Sequence, residues 1–204
     1  MVSNDDIVAP GAGFDTHPHR DMEIVTWVLS GSLVHQDSQG NNGVIYPGLA
    51  QRMSAGKGIL HSEKNDSWRL TGTPEHCEPV HFIQMWVLPD TPGIDPGYQQ
   101  LDINDQLDST GLAVVASGLA EHSHTTAIRI AQSRAGLLAG RLAPGERQGL
   151  PTAPRLHLFV AVGAVELESG ERLEAGDSAR MSESGGIAVT AGSAGAEILV
   201  WQMH

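Results

Sequence analysis

The chain has 204 residues, enough for one large β domain or two small ones, and it carries 24 acidic against 12 basic residues, a net charge of -12. So acidic a surface repels phosphate backbones and argues against direct nucleic-acid binding. The single cysteine, Cys77, allows no internal disulfide framework and points to a reducing, cytoplasmic setting, and no apolar run reaches the length of a membrane span.

Twenty-four glycines and 11 prolines suit short strands joined by turns. "MEIVTWVL" (22–29) is dense in β-branched and aromatic residues, ends at Ser30-Gly31, and with "SLVHQD" predicts a hairpin. "NNGVIYPGLAQRMSAGKGILHSE" (41–63) gives further strands, with turns at Asn42-Gly43, Pro47-Gly48 and Gly56-Lys57-Gly58. "EPVHFIQMWVLP" is a strand stopped by Pro89. "DTPGIDPGYQQLDINDQLDS" (90–109), poor in apolar residues, reads as a linker or crossover. Strands resume in "LAVVASG", "TAIRIAQSRAGLLAGRL", "LHLFVAVGAVELES", "GIAVTAG" and "EILVWQM". The expectation is an all-β chain in two domains, 1–100 and 101–204.

The halves resemble each other. "VLSGSLVHQDSQG" around Gly31 parallels "VAVGAVELESGER" around Gly163, and "YPGLAQRMSAGKG" parallels "EAGDSARMSESGG". Two landmarks in the same order indicate tandem copies of one β unit. Gly31 and Gly163 are 132 residues apart and Arg52 and Arg180 are 128 apart, so the second copy is four residues shorter between them. Because the Arg-Met-Ser triplet recurs in both copies, it reads as structural.

Side chains at i and i+2 of a strand share a face. His17 and His19 in "THPHRDME" therefore project together, as do His61 and Glu63 in "HSE". A curved barrel that brings the pairs face to face makes a site of three nitrogens and one oxygen, with two positions open on a six-coordinate ion. Such ligation suits iron, manganese, nickel or cobalt better than a thiolate-rich structural zinc site. Glu23 keeps the parity of His17 and His19 if the strand runs unbroken, so it rivals Glu63. A lone HxH pair is a short motif that arises by chance. His122 and His124 form one in a polar, loop-like stretch and read as solvated turn residues, and His35, His76, His81 and His157 read as packed or surface histidines. Phe14, Trp27, Phe82 and Trp86 are candidates for an apolar pocket or, for most of them, for core packing. Arg20 and Asp21 are candidates for an ion pair, and nothing marks Cys77 as reactive.

The stretch Gly11, His17-x-His19, Glu23, Gly31 has the shape of the first cupin motif, and Gly58, His61, Asn65 that of the second. More narrowly, "HPHRDMEIVT", "QRMSAGKGILHSEKN" and "IQMWVLP" resemble the pirin family, over most of residues 5–100. The resemblance implies two tandem jelly-roll-like cupin barrels, a bicupin. It implies one non-haem metal, Fe(II) first, with Mn, Ni, Co, Cu or Zn as alternatives, held by His17, His19, His61 and Glu63, and it assigns Glu23 to orienting a ligand imidazole. It further implies quercetin 2,3-dioxygenase activity, in which a small aromatic flavonol and O2 give a depside and carbon monoxide, with Glu63, or Glu23 in its place, as the base. The alternative it carries is a redox-sensing regulator without turnover, a transcriptional cofactor or a partner of a metabolic enzyme. Aligning the glycines sets His17 and His19 against Gly149 and Pro151, and aligning the triplets sets His61 and Glu63 against Val189 and Ala191, so the second barrel is expected to be metal-free. Family members usually carry some tens of residues ahead of this motif. The first barrel is therefore expected to lack early strands and to expose an edge that a partner chain covers.

Overall fold

The computed structural model describes residues 2–109 and 111–204. The chain divides into two compact units, Met1–Asp102 with Ile128–Gln132, and Ile103–Ala127 with Ser133–His204. Both are built from strands, as the turn-rich sequence predicts. Among the described residues, no helix is long and apolar enough to cross a membrane.

In the first unit the strands are β1 (Val2–Val8), β2 (Gly13–His19), β3 (Glu23–Ser30), β4 (Leu33–Asp37), β5 (Asn42–Ile45), β6 (Leu49–Ser54), β7 (Ile59–Lys64), β8 (Val80–Val87) and β9 (Gly97–Asp102), with a short helix α1 (Ser67–Thr71). They form two antiparallel sheets, ordered β1-β8-β3-β6-β9 and β2-β7-β4-β5. Strand β9 lies in the stretch that the sequence presents as a linker. Its Tyr98 and Gln100 pair with Met53 and Gln51 of β6. Without apolar alternation, the usual strand signal is absent.

Register explains the interior. On β3, Ile24, Thr26 and Val28 share one face; β8 sets Trp86, Gln84 and Phe82 beside them, and β6 sets Met53 and Gln51 beside Ile24 and Thr26. Ile24, Met53, Ala55 and Ile59 pack into one apolar cluster, flanked by Trp86, and Val28, Leu33, Ile45, Leu49, Val80 and Phe82 pack into another. Between these two clusters the ladder places a buried polar layer that includes Thr26, Gln51 and Gln84. The strands facing it add His35, His61 and Glu63, all buried.

The second unit contains α2 (Asn104–Ser109), β10 (Ala113–Ser117), β12 (Ala135–Leu142), β13 (Arg147–Gly149), β14 (Ala153–Leu167), β15 (Arg172–Glu174), β16 (Ser178–Ser184) and β17 (Ala188–Met203); the two-residue β11 (Ile128–Arg129) belongs to the first unit. β17 pairs with β12, β13 and β14, and β14 pairs in turn with β15 and β16.

The tandem repeat appears in the hydrogen-bond ladders themselves. Six residues before Gly31, Val25 pairs with Arg52; six residues before Gly163, His157 pairs with Arg180. Two residues earlier, Glu23 pairs with Ser54 and Arg155 with Ser182. Further along, His35 pairs with Glu63, and Leu167 pairs with Val189. The ladder thus sets Glu63 against Val189 rather than Ala191, because the second copy is two residues shorter after its triplet; a shift of two keeps the same face. Val189 and Ala191 both lie in an apolar cluster with Leu156, Leu158 and Ile198.

Both landmark glycines are required by geometry. Gly31 has φ +74° and Gly163 φ +75°, and a Cβ would stand 2.6 Å from the Pro79 carbonyl oxygen in the first case and 2.1 Å from that of Gly195 in the second. Gly31→Ala and Gly163→Ala are each expected to cost more than about 1 kcal/mol. In a chain of this size that lowers Tm by roughly 2–4 °C or more, read by thermal denaturation; an unchanged Tm in either variant would contradict the shared geometry.

Candidate metal centre

β2 is the edge strand of its sheet, and Pro18 is tolerated there because an edge strand leaves some N–H groups unpaired. The ladder with β7 shifts between Phe14, opposite Glu63, and His17, opposite His61. This bulge sets His17 beside His61. The rings of His17, His19 and His61 have centroids 4.4–4.9 Å apart. One potential ligand atom from each lies within 4.8 Å of the others. His17 Nδ1 donates to the Asp15 carbonyl at 2.7 Å. His19 Nε2 and His61 Nε2 are buried without a hydrogen-bond partner. Converging, unpartnered imidazole nitrogens are what a transition metal fills, so the donor set fits such an ion.

Glu63 stands one alternate position along β7 from His61 and directly opposite His35 on β4. His35, His61 and Glu63 form a second cluster within 4.8 Å, entirely buried. His61 belongs to both clusters and joins His17, His19 and Glu63 into one continuous group. The sequence reads His35 as a packed or surface histidine, and the structure buries it against Glu63. Its signal was nevertheless present: His35 and Asp37 form an HxD pair with the spacing of HPH and HSE.

The carboxylate is held from across the barrel. Gln84 Nε2 donates to both Glu63 oxygens at 2.9 Å, and Trp86 Nε1 donates to Gln84 Oε1 at 3.1 Å, which fixes the amide's orientation. Burial pushes the Glu63 carboxyl up, against the hydrogen bonds of Gln84 and Thr26 and the charge of His17. Burial, reinforced by His17, His35 and His19, brings His61 down to about 3, and burial also lowers His19 and His35.

Glu23 lies elsewhere, so the parity expectation is corrected. β2 ends at His19, and Asp21 adopts φ 49°, which resets the alternation before β3 begins. On β3 it is Thr26 that meets Gln84 and Glu63, so Glu23 falls on the opposite face. There its Oε2 accepts the Ala131 amide at 3.0 Å, and Arg52 lies near enough to feel its charge. Among the described residues no hydrogen bond joins it to an imidazole. Of the candidate aromatics, Trp86 packs edge-on against His19 at 4.7 Å and Phe14 lies 6.4 Å from His17, whereas Trp27 and Phe82 are core. Arg20, exposed, and Asp21, half-buried, form an ion pair at 3.7 Å. A cleft of about 460 Å³ adjoins His19 and is lined in part by Arg20, Lys57, Ile59 and Leu60.

Antiparallel strands that enclose a polar layer carrying HxH and HxE pairs define a cupin with a candidate metal centre. Residues 1–87 match the Pirin family and residues 114–203 match the quercetinase C-terminal cupin domain family. A Mycobacterium tuberculosis (strain ATCC 25618 / H37Rv) protein named "Putative quercetin 2,3-dioxygenase Rv0181c" is 53% identical over all 204 residues, which span 79% of it. The crystal structure of the Escherichia coli bacterial pirin YhhW in complex with nickel(II) superposes with a TM-score of 0.82 at 32% identity, over 98% of this chain and 80% of that one. A quercetin 2,3-dioxygenase structure from Acinetobacter baumannii gives 0.76 at 26% identity, over 98% and 72%. The chain belongs to the pirin family and is a bicupin.

Two outcomes test the site. The buried imidazoles are neutral in the fold and gain protons on unfolding below about pH 6.5. Metal-free protein is therefore most stable above that pH and loses stability as the pH falls towards 3, where His61 itself protonates. The raised Glu63 acts in the opposite sense above the ordinary carboxyl range, but one carboxyl faces three imidazoles, His19, His35 and His61. The Tm of chelator-treated protein is expected to fall from pH 7 to pH 5, and a flat profile would contradict the neutral cluster. Gln84→Ala, which removes the donor to both Glu63 oxygens, is expected to weaken divalent-metal binding ~10–100-fold in a chelator competition titration.

Proposed function

We propose that the first barrel binds one divalent transition metal ion, Fe(II) in the first instance, through His17, His19, His61 and Glu63. With that ion it oxidatively cleaves a flavonol-type aromatic substrate using O2. The observation that carries this reading is the convergence of three imidazoles whose Nε2 atoms on His19 and His61 are buried and unpartnered, beside a buried carboxylate. Nickel in the YhhW complex and the dioxygenase names of the relatives support it. Mixed nitrogen and oxygen donors also suit manganese and cobalt.

The ion, when bound, supplies Lewis acidity towards the substrate's hydroxyl and a template for orienting it. The protein's own groups do the rest. Glu63, its basicity raised by burial, takes the proton of the 3-hydroxyl on a carboxylate oxygen. Gln84 holds that carboxylate in place as the proton arrives. Trp86 and Ile59 keep the inner wall apolar and limit water. The cleft beside His19, about 460 Å³ and lined in part by Ile59 and Leu60, falls in the size range of small-molecule sites.

Elemental analysis of protein purified without added metal is expected to give about one transition metal per chain. Loading with Fe(II) under anaerobic conditions, followed by quercetin and air, is expected to release carbon monoxide. Glu63→Gln, compared with the wild type at equal metal occupancy, is expected to lose turnover by ~10²–10⁴-fold. A metal-free preparation that takes up none on loading, or a loaded protein that yields no carbon monoxide, would overturn the proposal, and full activity in Glu63→Gln would remove the base role.

A further inference from the structure

β7 lies inside its sheet, with β2 on one side and β4 on the other. His61 stands opposite His17 on β2 and opposite Asp37 on β4, and Glu63 stands opposite His35. The HxD pair of β4 and the HxE pair of β7 therefore make a square of cross-strand neighbours. His35, His61 and Glu63 are buried, and the Asp37 side chain is fully covered. Donor atoms of His35, His61 and Glu63 lie within 4.8 Å of one another, as do those of His17, His19 and His61. Nδ1 of His61 lies 3.5 Å from Nδ1 of His35. That is the outer limit of a hydrogen bond. It is close to the separation of about 3.3 Å between two imidazole nitrogens on one tetrahedral ion. Asp37 backs the His35 ring, with Oδ2 3.3 Å from Nε2, as carboxylates do behind metal-bound histidines. Backbone amides of Gln39 and Asn41 fix Asp37 in turn, and Tyr98 stacks on the His35 ring at 4.9 Å.

We infer that the barrel has a second metal seat, in which His35, His61 and Glu63 bind a divalent transition metal ion between β4 and β7. This rests on the metal assignment proposed above and adds His35 to its ligands. Two nitrogens and one oxygen suit iron, cobalt, nickel or zinc. Glu63 keeps acceptor sites for the ion, because Gln84 takes one on each oxygen and a carboxylate offers about four. The carboxylates of Glu63 and Asp37 together balance the ion's double charge in a buried setting. A metal-bound imidazole is neutral and has a single lone pair, so His61 serves one ion at a time and the two seats are alternatives. They differ in access: His17 and His19 are half-buried on an edge strand, whereas all three donors between β4 and β7 are buried.

Cobalt(II) titration of metal-free protein tests the seat, read by visible absorption and by elemental analysis after gel filtration. His17→Ala/His19→Ala removes the β2 donors at two half-buried positions of an edge strand. That variant is expected to bind about one cobalt per chain, as the wild type does, with the intense visible bands of a low-coordinate ion. Its proton spectrum is expected to show paramagnetically shifted ring N–H signals from His35 and His61. His17→Gln/His19→Gln, which keeps the side-chain bulk, is expected to behave alike. Adding His35→Phe, which keeps a ring against Tyr98, is expected to abolish uptake in both. His35→Phe alone should retain the ion through His17, His19 and His61, which shows that the ring replacement leaves the barrel folded. A wild type that binds cobalt beside β2 variants that take up none would overturn the seat and leave the metal assignment standing. Equal uptake with and without His35→Phe in the β2 variants would overturn the seat as well. A wild type that takes up no cobalt would overturn the metal assignment and the seat together.

Discussion

A carboxylate buried among imidazoles inside an apolar barrel is costly unless its oxygens are partnered, and the neighbours of Glu63 are arranged around that cost. Gln84 supplies donors to both oxygens, Trp86 fixes Gln84, and Thr26 adds a third hydrogen-bonding side chain from β3. Gln84 and Thr26 face each other across the β3–β8 ladder while Glu63 comes from the other sheet, so the sheet registers must be right before the carboxylate is satisfied. Two apolar clusters flanking the layer lock those registers. The same strands that make the core hydrophobic on either side therefore hold the polar middle in place.

What the sequence makes legible is what lies within one strand. The i and i+2 spacing of His17 with His19, and of His61 with Glu63, requires only local alternation, and each pair does share a face. Glu23 fails the same rule because the rule stops at a strand end, and nothing in "HRDME" announces that Asp21 turns the backbone into the left-handed region. Gln84 and Thr26 are invisible for another reason: their role arises across strands, from pairings that a single sequence does not display. Strand β9 escapes because its inward residues face polar partners and carry no apolar alternation.

The two copies show how a frame and its contents separate. Equivalent pairings recur around Gly31 and Gly163, both forced to glycine by the same approach of a neighbouring backbone. The interior does not recur. Where His35 meets Glu63 in one copy, Leu167 meets Val189 in the other, and an apolar cluster takes the space. Backbone hydrogen bonds and turn glycines carry the shared architecture, and a handful of inward positions decide whether its centre is polar.

Strand β2 is hydrogen-bonded on one side only, whereas β7 is held on both. Edge strands fray at lower free energy than the body of a sheet. The candidate donors are therefore split between an edge strand, which carries His17 and His19, and an inner strand, which carries His61 and Glu63, so the sheet holds the two pairs by different numbers of neighbours.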